Sequence, residues 1–509
     1  MTSRCPRNCE VSKPRSFSDD CESTLDSCIA HNASMRQSRL VPRDTGHGNT
    51  IEESRHLSPL RSKWFPRKAK SRLGVSPRPG AGLSAMLLFC VLSAIIATGC
   101  GRDETAVTFM AGGEPNEIAY WETLIDEFQG ESGMEVRLIR QPADSDQRRE
   151  ELVVPLRSGK PDPDVFLMDV VWVAQLAASE WLEPLESYAE EDNLSLKPFF
   201  PGILDLADRY EGALVALPVY IDGGLLYYRV DLLERYGFPG PPETWDELLE
   251  QSLVVQEGER AGNESFYAFV WQGAQYEGLV CDFLEFAAST EEWAEAPAES
   301  YRAGAPGSAE ALRFMRDLIH TYGISPPNTY TEMKEEQCRI FFQNENALFE
   351  RNWPYAWVLH NAPDSPVRGR VGIAPLPHFR GGRSVSALGG WHIGLSRTSD
   401  KKRDSWEFMK FCASYETQRK LALNLGWNPA RTDVYDDETV IDSIPHLRLL
   451  EDIFRNAVAR PRVPYYSQVS DMLQRHINAC IAGKTDEKEA LAAIMEEVQR
   501  LRGRYDKAQ

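Results

Sequence analysis

The stretch Leu217–Gly237, LPVYIDGGLLYYRVDLLERYG, decides the fold. It begins as an apolar strand that ends near Asp222, passes two glycines, and continues as a second apolar strand, Leu225–Tyr228, before an amphipathic helix. Tyr220 and Asp222 are two residues apart, so in an extended strand they point to the same face. A ring beside a carboxylate suits a polyol ligand. The alternative is a core tyrosine with a capping or turn aspartate, since aromatic residues are common in strands.

Upstream of this stretch, predicted strands alternate with helices, the strands being Ala106–Ala111, Glu135–Arg140 and Asp164–Asp169. Such alternation predicts an α/β fold with doubly wound, parallel sheets. Ligands of these sheets bind at the carboxyl ends of the strands, which is where Asp169 and Asp222 fall. After Pro242 the pattern is more helical and returns to strand at Arg370–Pro375 and Ala387–Leu395. We therefore expect two lobes, with the chain crossing between them more than once.

The composition is that of an ordinary globular protein. The chain has 509 residues, 42% hydrophobic and 26% charged, which is enough for two or more cores. The formal net charge of −20 argues against nucleic acid as a partner. There is no GxGxxG, GxxxxGK[ST], HExxH or GxSxG motif, so we expect no cofactor and no metal site. The lone His392 in LGGWHI is interpreted as structural.

The first 99 residues resemble a leader rather than a folded domain. Residues 1–85 are interpreted as a disordered leader, because they are rich in Ser, Arg and Pro without a sustained period. A leader of this length before the apolar run is explained most simply by a translation start assigned too far upstream. Residues 86–99 contain the apolar run MLLFCVLSAIIA, which is shorter than the roughly 20 residues of a membrane-spanning helix. Basic residues precede the run and small residues follow it, the order of a secretory signal peptide. The following Cys100 resembles the acylated cysteine of a bacterial lipoprotein; a non-lipidated export signal is the alternative.

Four cysteines lie in the body of the chain, namely Cys281, Cys338, Cys412 and Cys480. Their spacing matches no metal motif, which favours buried free thiols, although one disulfide is possible in an exported protein. Aromatic residues cluster with Gly and Pro at residues 266–278 (FYAFVWQGAQYEG), 352–357 (NWPYAW), 389–392 (GGWH) and 464–466 (PYY). Pro fixes the backbone and Gly lets it approach a ligand, so these clusters favour a stacking platform over core packing.

From about residue 105 to residue 505 the chain resembles the solute-binding proteins of ABC sugar importers, in particular their trehalose/maltose-binding branch. The resembling stretches include GGEPNEIAYW (112–121), PDVFLMDVVW (163–172), LPVYIDGGLLYYRVDLLERYG (217–237), FVWQGAQYEGLVCDF (269–283), FERNWPYAW (349–357), LGGWHIGLS (388–396), NLGWNPARTDVYDD (424–437) and RPRVPYY (460–466). The resemblance implies two α/β lobes joined by a hinge of about three crossovers, with sugar bound in the cleft. The expected first lobe is residues 100–212 plus 358–426, and the expected second lobe is residues 213–357 plus 427–509.

The resemblance also implies a ligand site and its partners. The ten residues it assigns are Glu117, Asp169 and Asp222 as hydroxyl acceptors, Arg148 and Arg460 as donors, Tyr220, Trp353, Tyr355 and Trp391 as stacking walls, and the Gly390 backbone. Arg149 and Arg462 remain alternatives to the two arginines, and Trp357 is possible core. The expected protein is not an enzyme but a monomeric, exported binding protein of the periplasm or cell surface. It is expected to be anchored through Cys100 and to pass a disaccharide to an ABC permease. The alternatives on the same fold are a carbohydrate-active enzyme, because paired carboxylates in a sugar cleft can hydrolyse glycosides, and a signalling lipoprotein.

Overall fold

The computed structural model describes residues 105–295, 306–444, 446–455 and 457–506. The predictions for residues 1–85, residues 86–99 and Cys100 lie outside the described residues. Within the described ranges, no helix is both long enough and apolar enough to cross a membrane.

The strands form two main sheets and one small ribbon. The strands are β1 (Val107–Gly112), β2 (Val136–Gln141), β3 (Val165–Asp169), β4 (Arg209–Tyr210), β5 (Ala213–Leu214), β6 (Leu217–Gly223), β7 (Leu225–Arg229), β8 (Phe269–Val270), β9 (Phe349–Asn352), β10 (Val371–Ala374), β11 (Leu388–Leu395) and β12 (Asn428–Pro429). The first sheet has the order β12-β6-β11-β3-β1-β2, and the second has the order β10-β7-β9-β8. β4 and β5 pair with each other. We call the first sheet with its helices the first lobe, and the second sheet with its helices the second lobe.

Helices connect and cover the strands, which confirms the predicted α/β class. The helices are Pro115–Ser132, Ser145–Arg157, Val173–Ala178, Glu186–Glu191, Pro201–Ile203, Val230–Arg235, Trp245–Glu259, Glu277–Ala288, Pro306–His320, Thr329–Glu332, Glu335–Gln343, Ala356–His360, Lys402–Cys412, Tyr415–Leu425, Glu438–Ser443, Leu447–Arg455, Tyr466–Ile481 and Glu487–Tyr505. A short π-helix occupies Leu204–Asp208, and short 3₁₀-helices occupy Glu291–Glu295 and Thr432–Asp436.

The first sheet is mixed rather than parallel throughout. β1 pairs in parallel with β2 and β3, as the strand–helix alternation predicts. β11 and β6 run antiparallel to their neighbours, and Trp391 of β11 lies opposite Asp169 at the end of β3. The reason is the route of the chain, because β11 enters the sheet from the second lobe and therefore starts at the edge where β3 ends.

Alternate side chains of each sheet feed separate cores. In β1, Val107, Phe109 and Ala111 pack into one cluster of the first lobe, while Met110 packs into the cluster on the opposite face. In β7 of the second lobe, Leu226 packs into one hydrophobic cluster and the adjacent Leu225 packs into another. This period of two is expected for sheets covered by helices on both faces. The four cysteines of the body are buried and free, as predicted.

Strand pairing moves three of the predicted lobe boundaries. β6 pairs within the first sheet, although the prediction assigns residues 213–357 to the second lobe. β10 pairs with β7 of the second sheet, although residues 358–426 are predicted to be first lobe. β12 pairs with β6 of the first sheet, although residues 427–509 are predicted to be second lobe. The sheet to which a strand belongs depends on hydrogen bonds between segments far apart in sequence, and local composition does not reveal these bonds.

The chain passes between the sheets at three places. It leaves the first sheet between β6 and β7, through Gly223 and Gly224; it returns between β10 and β11; and it leaves again after β12. A Cβ added at Gly224 would collide with Oε1 of Glu285, which a buried ion pair with Arg351 holds in place, so the first crossing favours a residue without a side chain. The stretch LPVYIDGGLLYYR thus carries β6 of the first sheet directly into β7, the first strand of the second sheet along the chain.

Candidate functional site

A cavity of about 660 Å³ lies between the two lobes. Its lining includes all ten residues that the family resemblance assigns to the ligand, namely Glu117, Arg148, Asp169, Tyr220, Asp222, Trp353, Tyr355, Gly390, Trp391 and Arg460. Each lobe contributes, since β3 and β6 belong to the first sheet and β9 precedes Trp353 in the second. The volume falls within the roughly 300–1,000 Å³ of small-molecule sites.

Glu117 enters the cavity from the first turn of helix Pro115–Ser132. Its Oε2 accepts a hydrogen bond from the backbone N–H of Glu114 (2.8 Å), and its Oε1 accepts one from Nε1 of Trp427 (2.9 Å). Loss of solvent around the carboxylate raises the pKa of Glu117, against the opposing effect of the Glu114 backbone hydrogen bond and of Arg148. Two donors therefore fix the position of this carboxylate.

Arg148 is buried, and its guanidinium carbon lies 3.5 Å from the centroid of a Trp391 ring. The helix that carries it, Ser145–Arg157, begins where the Asp144 side chain accepts a hydrogen bond from the backbone N–H of Gln147 (3.0 Å). Burial lowers the pKa of the Arg148 guanidinium, and nearby Tyr220, Glu117 and Asp169 oppose that shift. The alternative Arg149 does not line the cavity.

Asp169 ends β3 and is held by two donors. Its Oδ1 accepts a hydrogen bond from the backbone N–H of Val171 (3.0 Å) and from Nη2 of Arg460 (3.2 Å). Arg460 is 4% exposed and also donates through Nη1 to Oε1 of Glu277 (2.8 Å). The alternative Arg462 instead donates to the backbone oxygen of Asp205 (2.8 Å) and does not line the cavity.

Tyr220 and Asp222 lie on β6, as predicted, and both line the cavity. The Tyr220 ring stacks on Trp427 with centroids 4.0 Å apart. Burial raises the pKa of Asp222 to about 8, helped by the negative charges of Glu117 and Asp169. At neutral pH this carboxyl is therefore mostly protonated and can donate as well as accept a hydrogen bond.

Trp353 and Tyr355 form the second-lobe wall. The guanidinium carbon of Arg351 lies 4.0 Å from the centroid of a Trp353 ring. Arg351 is itself buried in an ion pair with Glu285 (Nη2 to Oε1, 2.6 Å). The hydroxyl of Tyr355 donates to Oε1 of Glu336 (2.8 Å). Both rings are therefore anchored by polar partners.

Gly390 allows β11 to pass close to the cavity. Its φ of +136° is unfavourable for residues with a Cβ, and an added Cβ would lie 2.6 Å from the backbone oxygen of Tyr220. At the neighbouring Gly389, an added Cβ would lie 3.2 Å from side-chain atoms of both Asp222 and Trp353. The pair of glycines therefore keeps the floor of the cavity open.

The cavity also contains residues that the sequence prediction missed. The additional polar or aromatic residues among them are Glu114, Asp144, Ser145, Glu277, Glu332, Lys334, Glu335, Glu336, Gln337 and Trp427. The sequence contains a feature from which Trp427 could have been predicted. It lies in Gly-Trp-Asn-Pro, the same combination of an aromatic residue with Gly and Pro as in the predicted stacking platforms. Glu335 and Glu336 begin a helix, where acidic residues are usual for reasons unrelated to ligands.

Three aromatic rings of the cavity share one arrangement. Arg148 covers one face of Trp391, Arg351 one face of Trp353, and Trp427 one face of Tyr220. One face of each ring is therefore closed to a flat partner. With acidic acceptors beside these rings, the site is suited to a molecule with apolar faces and a rim of hydroxyl groups. In the described part of the chain, no group of three or more His, Cys, Asp or Glu residues could hold a metal ion.

Comparison with known proteins places these features in a family. The profile described as bacterial extracellular solute-binding protein matches residues 112–419. A probable ABC transporter-binding protein of Deinococcus radiodurans is 32% identical over 383 residues, which cover 74% of this chain and 89% of that relative. The maltose-bound MalE3 structure of T. maritima has a TM-score of 0.73 at 39% identity, covering 78% of this chain and 99% of that chain. A maltotriose-binding protein of Pyrococcus abyssi is 24% identical over 334 residues, 64% of this chain and 67% of the relative. The family resemblance and the two-lobe α/β fold expected from the sequence are thereby confirmed.

Proposed function

The chain belongs to the bacterial extracellular solute-binding proteins, and from that membership we propose that it captures an α-linked glucose disaccharide of the maltose or trehalose type. The lobes close on the sugar, and the loaded protein delivers it to the membrane subunits of an ABC importer. The observation that carries this proposal is the convergence of acidic acceptors, a buried arginine and one-sided aromatic rings on one cavity between the lobes. The maltose-bound relative at 39% identity supports the choice of sugar.

Each proposed role follows from the position of the side chain. Trp391, Trp353 and Tyr355 offer ring surface to the apolar C–H faces of the sugar. Asp222 and Arg148 exchange hydrogen bonds with its hydroxyl groups. A hydrogen bond to the charged Arg148 contributes roughly 1.5–3 kcal/mol, and one to the protonated Asp222 roughly 0.5–1.5 kcal/mol. Several of them, after the cost of association, are enough for micromolar affinity, about −8 kcal/mol.

The acidic acceptors on the first-lobe side complete the proposed site. Glu117 and Asp169 are already fixed by protein donors, so they meet a hydroxyl group without further ordering. Tyr220 is 7% exposed and stacked on Trp427, so it contributes an edge and a hydroxyl rather than a broad stacking surface. The Gly390 backbone lets the ligand approach β11 closely.

Isothermal calorimetry with maltose, trehalose and sucrose tests the proposal. We expect binding heat with at least one of them, accompanied by a change in tryptophan fluorescence as Trp353 and Trp391 lose water. Asp222→Ala is expected to remove the heat while unfolding stays cooperative. Absence of heat with every glucoside tested would refute the sugar assignment, and release of glucose from maltose or trehalose would refute a binding-only role.

We also propose that Cys100 carries a lipid that holds the exported protein at the membrane. The support is the basic, apolar and small-residue order of the leader before this cysteine. Mass spectrometry of the N-terminal peptide from the membrane fraction tests it. The expected result is an acylated Cys100. The Cys100→Ser variant is expected to appear in the soluble fraction instead of the membrane fraction. An unmodified N-terminus beyond Cys100 would refute the anchor.

A further inference from the structure

The acidic acceptors that the family resemblance assigns to the ligand all lie on the first-lobe side of the cavity. Asp169 and Asp222 lie on β3 and β6, and Glu117 lies on the helix that follows β1. From the second lobe, the assigned residues are the aromatic side chains of Trp353 and Tyr355. A sugar carries hydroxyl groups around its whole rim, so an acceptor is also needed on the second-lobe side.

Glu335 enters the cavity from the second lobe. It is the first residue of helix Glu335–Gln343, which packs against β9. Its backbone oxygen accepts a hydrogen bond from Nδ2 of Asn352 (3.1 Å), the residue before Trp353. Loss of solvent raises the pKa of Glu335, and the nearby Tyr276 and Trp353 oppose that shift. The start of this helix is therefore fixed to the wall of the cavity.

The Glu335 carboxylate lies at the edge of the Trp353 ring. Nε1 of Trp353 points toward Oε1 of Glu335 across 3.4 Å, a long hydrogen bond. An indole N–H lies in the plane of its ring, so this carboxylate is beside the ring rather than over a face. Arg351 covers one face of the ring. A sugar stacked on the other face extends its equatorial hydroxyl groups past the ring edge, toward a carboxylate in this position.

The neighbouring Glu336 differs because protein donors already occupy its carboxylate. Its Oε1 accepts from the Tyr355 hydroxyl (2.8 Å) and from Nε of Arg339 (2.8 Å), and its Oε2 accepts from Nη2 of Arg339 (2.7 Å). An ionised carboxylate has about four acceptor positions. Even with the Trp353 nitrogen and the Tyr276 hydroxyl beside it, Glu335 retains acceptor capacity for a ligand.

We propose that Glu335 is a ligand contact of the second lobe, a carboxylate that accepts a hydrogen bond from a hydroxyl of the sugar unit stacked on Trp353. The proposal rests on the proposed function, because it takes the ligand to be a sugar. Asp222 and Glu335 belong to different lobes, so a sugar that bonds to both joins the lobes. Closure of the cleft then depends on the presence of the sugar.

Truncation of Glu335 tests this role. Glu335→Ala removes the carboxylate, and Glu335→Ser is a second truncation to be used if Glu335→Ala does not fold. The matched control is Glu250→Ala, because Glu250 is exposed on the second-lobe helix Trp245–Glu259 and does not line the cavity. Circular dichroism first establishes that each variant unfolds cooperatively. Calorimetry with maltose, or with trehalose where wild type binds it better, is expected to show affinity roughly tenfold lower or more for Glu335→Ala and unchanged for Glu250→Ala.

Monodeoxy analogues of the same sugar separate a ligand contact from a mere support for Trp353. We expect wild type to bind the analogue that lacks the hydroxyl facing Glu335 roughly tenfold more weakly than the parent sugar. Glu335→Ala should bind that analogue and the parent sugar about equally, while it still discriminates against loss of the other hydroxyls. If Glu335→Ala instead weakens binding of the parent sugar and of every analogue by one common factor, the proposed contact is overturned.

The same titrations distinguish failure of this contact from failure of the proposed function. Absence of heat between wild type and every glucoside would refute sugar binding, and the Glu335 contact with it. Where wild type binds the sugar, an unchanged affinity in Glu335→Ala would overturn the Glu335 contact alone and leave the proposed function standing.

Discussion

Replacing Asp222 with asparagine tests the electrostatic character of the cleft. Burial, together with Glu117 and Asp169, raises the pKa of Asp222 from an ordinary value of 3.8 to about 8. An asparagine has nearly the same shape and does not titrate. The difference in stability between the two proteins at several pH values therefore isolates the ionisation of this one group.

The sign of the effect follows from the direction of the shift. The folded protein holds the Asp222 proton more tightly than the unfolded chain does. This group therefore contributes full stability below pH 3.8, and the contribution is lost as the pH rises to about 8. The limiting slope for one proton is about 1.4 kcal/mol per pH unit, or about 2.7 kcal/mol between pH 5 and pH 7. Residual solvent contact and relaxation of the site reduce the expected change to roughly 1–2 kcal/mol.

Urea denaturation at pH 5, 6 and 7, followed by tryptophan fluorescence, measures this difference. Asp222→Asn is expected to gain stability relative to wild type as the pH rises, in the amount given above. The control is Asp205→Asn, because the Asp205 side chain is 80% exposed. Parallel curves of unfolding free energy against pH for wild type and Asp222→Asn would refute the reasoning.

Three further substitutions, with one control in a helix outside the cavity lining, test the walls of the cavity. Trp391→Ala is expected to abolish maltose heat in calorimetry while leaving a cooperative transition in differential scanning calorimetry; wild-type affinity would contradict its place in the site. Gly390→Ala should lower the free energy of unfolding by roughly 1–3 kcal/mol in urea denaturation, because φ at this position is +136° and an added Cβ meets backbone atoms. The control Gly130→Ala lies in a helix with open space around it and should instead raise the free energy of unfolding by roughly 0.5–1 kcal/mol. Trp427→Phe removes the donor to Glu117 and should cost roughly 1–3 kcal/mol in the same assay, and an unchanged urea midpoint would contradict that bond.

Most strands near the cavity could be predicted because they follow simple rules. β1, β3 and β6 are apolar, fully or nearly buried, and spaced by helices. β9, Phe349–Asn352, was missed although all four of its residues are buried. Its Glu350 and Arg351 are charged but paired, with His360 (2.8 Å) and Glu285 (2.6 Å), so the apolar pattern of a central strand is absent. A buried ion pair is invisible in one segment of sequence, because its partner lies elsewhere in the chain.

The same limit applies to contacts between the lobes. From the sequence, Arg460 and Arg462 are equal candidates for one role, and only the folded structure shows that Arg460 contacts Asp169. Lys334 forms an ion pair with Asp144 from the other lobe at the cavity edge, and neither residue belongs to a recognisable motif. Residue types and strand ends were predictable from local rules. Pairings across 190 or more residues depend on the three-dimensional arrangement of the chain, which local rules do not contain.

The covered faces of the aromatic rings explain how such a cleft can select a ligand by shape. A ring free on both faces could turn about its side-chain torsions and accept a sugar in several orientations. Arg148 on Trp391, Arg351 on Trp353 and Trp427 on Tyr220 each remove one face and restrict those torsions. The ordering cost of the walls is then met during folding rather than during binding, which favours affinity. It follows that the residue behind a ring shares control of ligand choice with the ring itself, even when it never touches the ligand.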